Sequence, residues 1–276
     1  MQSSEISLSH YEKSGLRDRL INALSRAGLV DGQIRCEDLA TLDQFHSRGL
    51  DATVDLANEL ALDGASTVID IGSGLGGPSR YLASQFGCKV VGIDLSASFV
   101  QAATYLAERT GLGQCVSYQQ ANALSLPFPP ASFDVAWTQH VAMNIGNRQQ
   151  FYAEAFRVLK PGGQLAVYDV VSGKSGPLIF PVPWAATPEG SFLLSPEAMR
   201  SLLIQVGFEV ASWKDRTEAG IVWFRQRAVA KKGNDIAAKL GLHVVMGPEF
   251  STMSGNLLRN LAEGRAALIE AILIRP

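Results

Sequence analysis

From residue 66 onward, short β-rich runs alternate with helical segments, and no other feature restricts the fold as tightly. The runs "TVIDI" (67–71), "CKVVGID" (88–94), "CVSYQQ" (115–120), "FDVAWTQ" (133–139) and "GQLAVYDVV" (163–171) are separated by "GPSRYLASQFG", "SASFVQAATYLAERTG" and "NRQQFYAEAFRVLKPGG". Such alternation predicts a mostly parallel sheet with helices on both faces, a Rossmann-like α/β fold. Two later runs, "FEVASW" (208–213) and "ALIEAILI" (267–274), bring the sheet to seven strands. The stretch between these two is too long for a plain loop and is expected to carry helices. Ahead of the alternation, Leu16, Leu20, Ile21 and Leu24 and the stretch "DATVDLANELAL" (51–62) follow helical spacing. The expected organisation is an N-terminal helical cap over 1–60 and a core over 61–276, with lid insertions near 172–198 and 214–265.

The first strand runs into "GSGLGGPSR", with glycines at 72, 74, 76 and 77. Gly72, Gly74 and Gly77 match the spacing of a dinucleotide fingerprint, which alone is a weak signal. Asp70 and Pro78 argue against a pyrophosphate. An aspartate beside the loop repels an anion, and proline removes an N–H donor from the helix start. A ligand bearing an ammonium and a sulfonium, such as S-adenosylmethionine, reverses that argument. Asp94 ends the second strand about twenty residues on, where an acid accepts hydrogen bonds from ribose hydroxyls.

Composition removes other classes. The chain has 276 residues, 47% hydrophobic and 18% charged, enough for a substantial core. A net charge of −2 and the lack of a long basic block give nucleic acid nothing to hold. The apolar runs are too short to span a bilayer, and the N-terminus lacks the pattern of a signal peptide. Cys36, Cys88 and Cys115 are widely spaced and fit neither a disulfide framework nor a metal site. A reduced cytoplasmic location, with no metal and no membrane or nucleic-acid partner, is the expectation.

The ordered motifs "VIDIGSGLGG", "VVGIDLS", "ANALSLPFPPASFDVAWTQHVAMNI" and "RVLKPGGQLAVYD" resemble those of the class I S-adenosylmethionine-dependent methyltransferases. "DQFHSRGLDAT" and "FPVPWA" extend the likeness toward small-molecule enzymes, the "type 11" and sarcosine/dimethylglycine N-methyltransferases. The resemblance implies that Asp70, Gly72 and Gly74 line the methionine and ribose part of the cofactor. It implies further that Asp94 holds the ribose, Leu95 packs on adenine, and Thr138 and Gln139 reach the methionine. Where the family commonly has an acid for the adenine amine, this chain has Asn122, followed by Ala123. Arg80 reads equally well as a surface residue of its helix and is not counted in the site.

Methyl transfer from a sulfonium is an in-line displacement that needs alignment, exclusion of water and, for some acceptors, a base. His140, at the end of the fourth strand, is the first candidate for proton removal, with His46 and Asp169 next. Each also has a structural reading, as a packed loop histidine, a tie between cap and core, and a turn cap. The apolar lid carries Trp184, which suits a methylated ammonium by cation–π attraction and equally an aromatic or isoprenoid acceptor. The same lid also reads as packing on the sheet edge or as a homodimer contact. The expected function is therefore methylation of a small molecule, with N-methylation of an amine slightly ahead of C- or O-methylation. A nicotinamide dehydrogenase is disfavoured by Asp70 and Pro78. A cofactor-binding partner without catalysis is disfavoured by the intact glycine loop.

Overall fold

The computed structural model describes residues 15–30, 32–230 and 240–276. Three helices, α1 (Leu16–Arg26), α2 (Cys36–Asp43) and α3 (Leu50–Asn58), precede the first strand, β1 (Thr67–Ile71). The alternation then runs α4 (Gly77–Phe86), β2 (Lys89–Asp94), α5 (Ala97–Arg109), β3 (Val116–Gln120), β4 (Phe133–Gln139), α6 (Arg148–Val158) and β5 (Leu159–Ser172). After it come α7 (Pro196–Val206), β6 (Glu209–Asp215), α8 (Thr217–Ala230), a single turn α9 (His243–Met246), α10 (Phe250–Ala262) and β7 (Ala266–Ile274). The 214–265 stretch does carry helices. β5 is longer than its run suggests, beginning at 159 instead of 163, with an irregular register opposite Phe133 and Val135.

The seven strands form one sheet in the order β3-β2-β1-β4-β5-β7-β6. All neighbours are parallel except β7, which runs antiparallel to both β5 and β6. β1 is central, so Val68, Ile69 and Ile71 are buried on both faces, as a strand covered on two sides requires. Helices α3, α4, α8 and α10 pack on one face, around Leu56, Leu82, Trp137, Tyr168 and Leu257. Helices α6 and α7 cover the other, around Phe151, Tyr152, Met199 and Leu203. A third apolar cluster joins α1, α2 and α9 to α5 through Leu20, Leu24, Leu39, Val245 and Leu106. Each fully buried leucine here is worth roughly 1.5–3 kcal/mol relative to exposure.

Local chemistry sets the helix ends. Pro78 stands in the first turn of α4, where its missing N–H has no helical acceptor, and Gly87 ends that helix at φ +70°. Ser96, Asn147 and Ser195 cap α5, α6 and α7 with side-chain oxygens. No helix among the described residues is long and apolar enough to cross a membrane.

Candidate functional site

The strand order reverses between β1 and β4, and a cleft opens there beyond the strands' carboxyl ends, where such sheets bind ligands. The cleft is partly open, and its roughly 950 Å³ of free space includes solvent at the mouth. Gly72, Gly74, Asp94, Leu95, Asn122 and Ala123 line it from the ends of β1, β2 and β3 and the loops after them, and Gln139 and His140 from the end of β4. Phe45 from the segment after α2 joins the lining, as do Val141, Asn144 and Ile145 from the turn after β4.

The glycines are required for different reasons. A Cβ on Gly72 would sit 2.4 Å from Val141, and one on Gly76 would sit 2.1 Å from the Tyr118 hydroxyl. Packing excludes side chains at both. Gly74, at φ +53°, has nothing within 4 Å of its Cβ position. Its backbone faces open cleft, so close approach of a ligand is its distinguishing feature. Asp94 secures this loop. One carboxylate oxygen accepts from the Gly74 N–H at 2.9 Å and the other from the Ser96 N–H at 2.9 Å. Each oxygen keeps further lone-pair capacity, and Asp94 itself lines the cleft. Burial raises its pKa above the usual carboxylate range, against these backbone donors. Asn122 Oδ1 accepts from the Leu124 N–H at 2.9 Å and has a second lone pair besides.

Asp70 stands elsewhere. It is buried beneath the loop, accepts from Ser79 Oγ at 2.5 Å at the start of α4, and is not among the cleft-lining residues. Burial pushes its carboxyl up to about 7. Thr138 is fully buried and also stands off the cleft, because strand alternation turns it to the face opposite Gln139. Asp169 faces that same opposite side, since its neighbour Tyr168 shares the face of Gln139. Its Oδ1 accepts from the Val141 N–H at 3.0 Å and so fixes the turn after β4. The fold thus brings His46 and His140 together and leaves Asp169 behind the turn that carries His140.

His140 adopts φ +53°, uncommon for a non-glycine residue, and its N–H donates to the Tyr168 carbonyl at 2.8 Å. Its ring stacks on Tyr168 at 5.2 Å between centroids, and His46 meets both rings edge-on at 6.1 Å. His46 Nε2 lies 2.8 Å from the Gly49 carbonyl. A carbonyl only accepts, so the proton of the neutral ring is on Nε2 and Nδ1 is left as acceptor. Burial lowers His46 to about 4, and burial plus the neighbouring His46 hold His140 well below its ordinary value. Burial thus favours the neutral form of both rings. Thr53 Oγ1 lies 2.7 Å from Gln44 Oε1 and 3.1 Å from Gln139 Oε1, joining α3 to the end of β4. Gln139 Oε1 also accepts from Trp137 Nε1 at 3.1 Å, while its Nε2 has no partner.

Sequence reasoning missed Phe45 as a wall, though its "QFHSRG" context was singled out for His46. It also read Arg80 as equally a surface residue, whereas Arg80 is wholly buried and pairs with Asp43 at 2.6 Å. The lid is fastened to α10 through Asn260, which brackets the Ile179 backbone, and Asn256, which bonds Pro181 O. Trp184 is only 3% exposed and donates to Ser191 Oγ at 2.9 Å. Among the described residues, no group of three His, Cys, Asp or Glu side chains is placed to hold a metal ion.

Residues 69–167 match the methyltransferase-domain family. Over 169 residues the chain is 30% identical to a sterol 24-C-methyltransferase of Eremothecium gossypii, covering 59% of this chain and 45% of that protein. Over 100 residues it is 39% identical to a tocopherol O-methyltransferase of Arabidopsis thaliana, covering 36% of this chain and 29% of that one. The chain therefore spans less than half the length of these two relatives. In fold it is similar to the [4+2]-cyclase SpnF, with a TM-score of 0.69 and 23% identity, covering 99% of this chain and 96% of the other. The matched segment, the strand order and the glycine loop secured by Asp94 together give residues 69–167 the features of a class I S-adenosylmethionine-dependent methyltransferase domain.

Proposed function

We propose that this chain methylates an oxygen or acidic carbon of a small, largely apolar acceptor, with S-adenosylmethionine as methyl donor. The observation that carries this reading is the pair of histidines, the buried His46 and the cleft-lining His140, whose rings meet edge-on at 6.1 Å beside Gln139. Neutral imidazole accepts the proton that a hydroxyl or an acidic C–H must lose. It brings no negative charge to balance an ammonium. Asp94 is the one carboxylate among the described lining residues, and it belongs to the glycine-loop end. The cation–π support for an amine acceptor rested on Trp184, which is packed into the core beside Val182 and Ala185. The relatives named for sterol C-methylation and tocopherol O-methylation agree with an apolar acceptor.

The residues fit the donor. Asp94 has lone pairs for a ribose diol, Gly74 gives its backbone space, and Leu95 and Ala123 offer apolar surface to adenine, with Asn122 Oδ1 for its amine. S-adenosylmethionine supplies an electrophilic methyl group when bound. Gln139 Nε2, a donor without a partner, faces a carboxylate or other acceptor atom at the methionine end. His140, held by its stack on Tyr168, takes the acceptor's proton as the new bond to carbon forms, and His46 Nδ1 is the second acceptor within the group. Phe45 and the turn at 141–145 keep water from the reacting line.

The fold alone does not carry methyl transfer, since a protein of the same fold is named for a cyclisation. The test is a mass-resolved assay with isotopically labelled methyl donor and matched panels of phenols, enolisable ketones, isoprenoids and amines. Label on oxygen or carbon is the expected result. Label confined to nitrogen would overturn the acceptor assignment, and no label with no cofactor binding would overturn the enzyme.

A further inference from the structure

Arg80 is the least expected charge in the molecule. It is wholly buried, and its guanidinium touches three elements. Nη2 donates to Asp43 Oδ2 at 2.6 Å, and Nη1 donates to the Leu75 carbonyl of the glycine loop at 2.7 Å, with Ala103 O of α5 at 3.5 Å. Asp43 is the last residue of α2 and is itself buried. The two segments also meet through backbone. A Cβ on Gly77 would lie 2.6 Å from the Asp43 carbonyl. The segment after α2 is therefore pressed against the first turn of α4.

The next three residues reach the cleft. Gln44 meets Thr53, Phe45 lines the cleft, and His46 faces His140. On the other side of the pair, Leu75 follows Gly74, the glycine whose backbone faces open cleft. A buried ion pair seldom stabilises a protein more than well-packed apolar residues would, since desolvation of both charges offsets their attraction. This one is also incompletely bonded, with Arg80 Nε and Asp43 Oδ1 lacking partners. A contact that an apolar pair could replace, yet that joins two segments lining one cleft, points to a role in geometry.

We propose that the Asp43–Arg80 pair positions the acceptor end of the cleft from the cofactor end. The glycine loop, through the Leu75 carbonyl and Arg80, sets where Asp43 sits, and Asp43 sets Phe45 and His46. Asp43 and Arg80 are positioning residues and touch neither ligand. The consequence is coupling: a ligand that orders the loop around Gly74 also orders the segment from Gln44 to His46. This inference rests on the proposed use of the cleft by the methyl donor and on His46 facing the acceptor.

The test is amide hydrogen exchange of the full chain, with and without S-adenosylhomocysteine, on wild type and Asp43→Asn. In wild type the ligand slows exchange both at 72–77 and at 44–50. In Asp43→Asn, which keeps the Arg80 bond to Leu75, the ligand still slows 72–77 while the slowing at 44–50 falls at least tenfold. A structural anchor alone would lower the melting temperature without separating the two segments. Should Asp43→Asn fail to fold, the double change Asp43→Leu with Arg80→Met replaces the pair by apolar contact and takes the same measurement. Equal slowing of both segments in a folded variant overturns the proposal, as does slowing confined to 72–77 in wild type. A wild type that does not bind S-adenosylhomocysteine overturns the donor assignment, and this proposal with it. That result is recognisable because neither segment then responds.

Discussion

The glycine-loop end of the cleft is held by backbone, whereas the histidine end is held by side chains. Around Gly74, the contacts that shape the site are main-chain N–H groups bonded to Asp94 and glycines whose neighbours leave no room for a Cβ. Around His140 they are ring stacking, the Thr53 hydroxyl bridging Gln44 and Gln139, and a buried ion pair one step away. The first kind of site tolerates many substitutions and fails at a few. The second kind responds in degrees, because several side chains share the positioning.

The largest effect is expected where the backbone end is broken. Gly74→Val forces a branched side chain to φ +53° and fills the open space in front of the loop. Calorimetry should find no S-adenosylhomocysteine binding to a protein that remains folded by circular dichroism. Retained affinity would mean that the ligand does not approach this backbone.

The side-chain end should lose rate and keep affinity. His140→Asn accommodates the left-handed backbone and removes the imidazole. Turnover should fall by about 100-fold or more, the usual scale for loss of a positioned base. Donor affinity should change little. Unaltered turnover would pass the proton-accepting role to His46.

Asp94→Ala compares the two modes within one residue. Loss of hydrogen bonds to a charged acceptor costs about 1.5–3 kcal/mol, or roughly 10- to 150-fold in donor affinity. The same change frees the Gly74 and Ser96 N–H groups, so a lower melting temperature should accompany it. Weakened binding with an unchanged melting temperature would show that the ligand, and not the loop, depends on this carboxylate.

The smallest effect concerns Asp169, the acid behind the turn of His140. Burial, opposed by Arg148 and backbone donors, pushes its carboxyl from 3.8 up to about 7. The folded chain thus keeps this proton to higher pH than the unfolded chain. Its contribution to stability declines as pH rises from 3.8 to about 7 and is level above that. Asp169→Asn cannot ionise, so its melting temperature relative to wild type should rise between pH 5 and pH 8, by about 2–4 °C for each kcal/mol recovered. Parallel pH profiles for the two proteins would show that Asp169 does not carry this penalty.

The same division explains what could be read in the amino-acid sequence. The strands are periodic local patterns, and the glycine loop with Asp94 lies within about twenty residues of chain. Both were therefore legible. Gln139 and His140 followed from strand order. Asp70 is expected in the cleft because its charge suits a cationic ligand, and Thr138 because the family resemblance implies it. Which way each turns depends on pleat and on a partner such as Ser79. Trp184 carried a binding role in prospect because the lid is apolar, and its burial depends on α10, far along the chain. Arg80 pairs with Asp43 across 37 positions, and no local pattern distinguishes such a buried arginine from a solvated one.

The antiparallel β7 has a consequence for how the molecule is made. In the sheet order β6 touches only β7, which lies between it and β5. During synthesis β6 leaves the ribosome well before the strand that must bridge it to the rest. Until residues 266–274 arrive, one edge of the nascent sheet ends at β5, and β6 has no strand to pair with. Folding from the amino terminus can complete the glycine loop early, but β7 must arrive before β5 and β6 are joined. A nascent chain arrested before that point leaves β5 open along its length, an exposed strand edge that invites pairing with other chains.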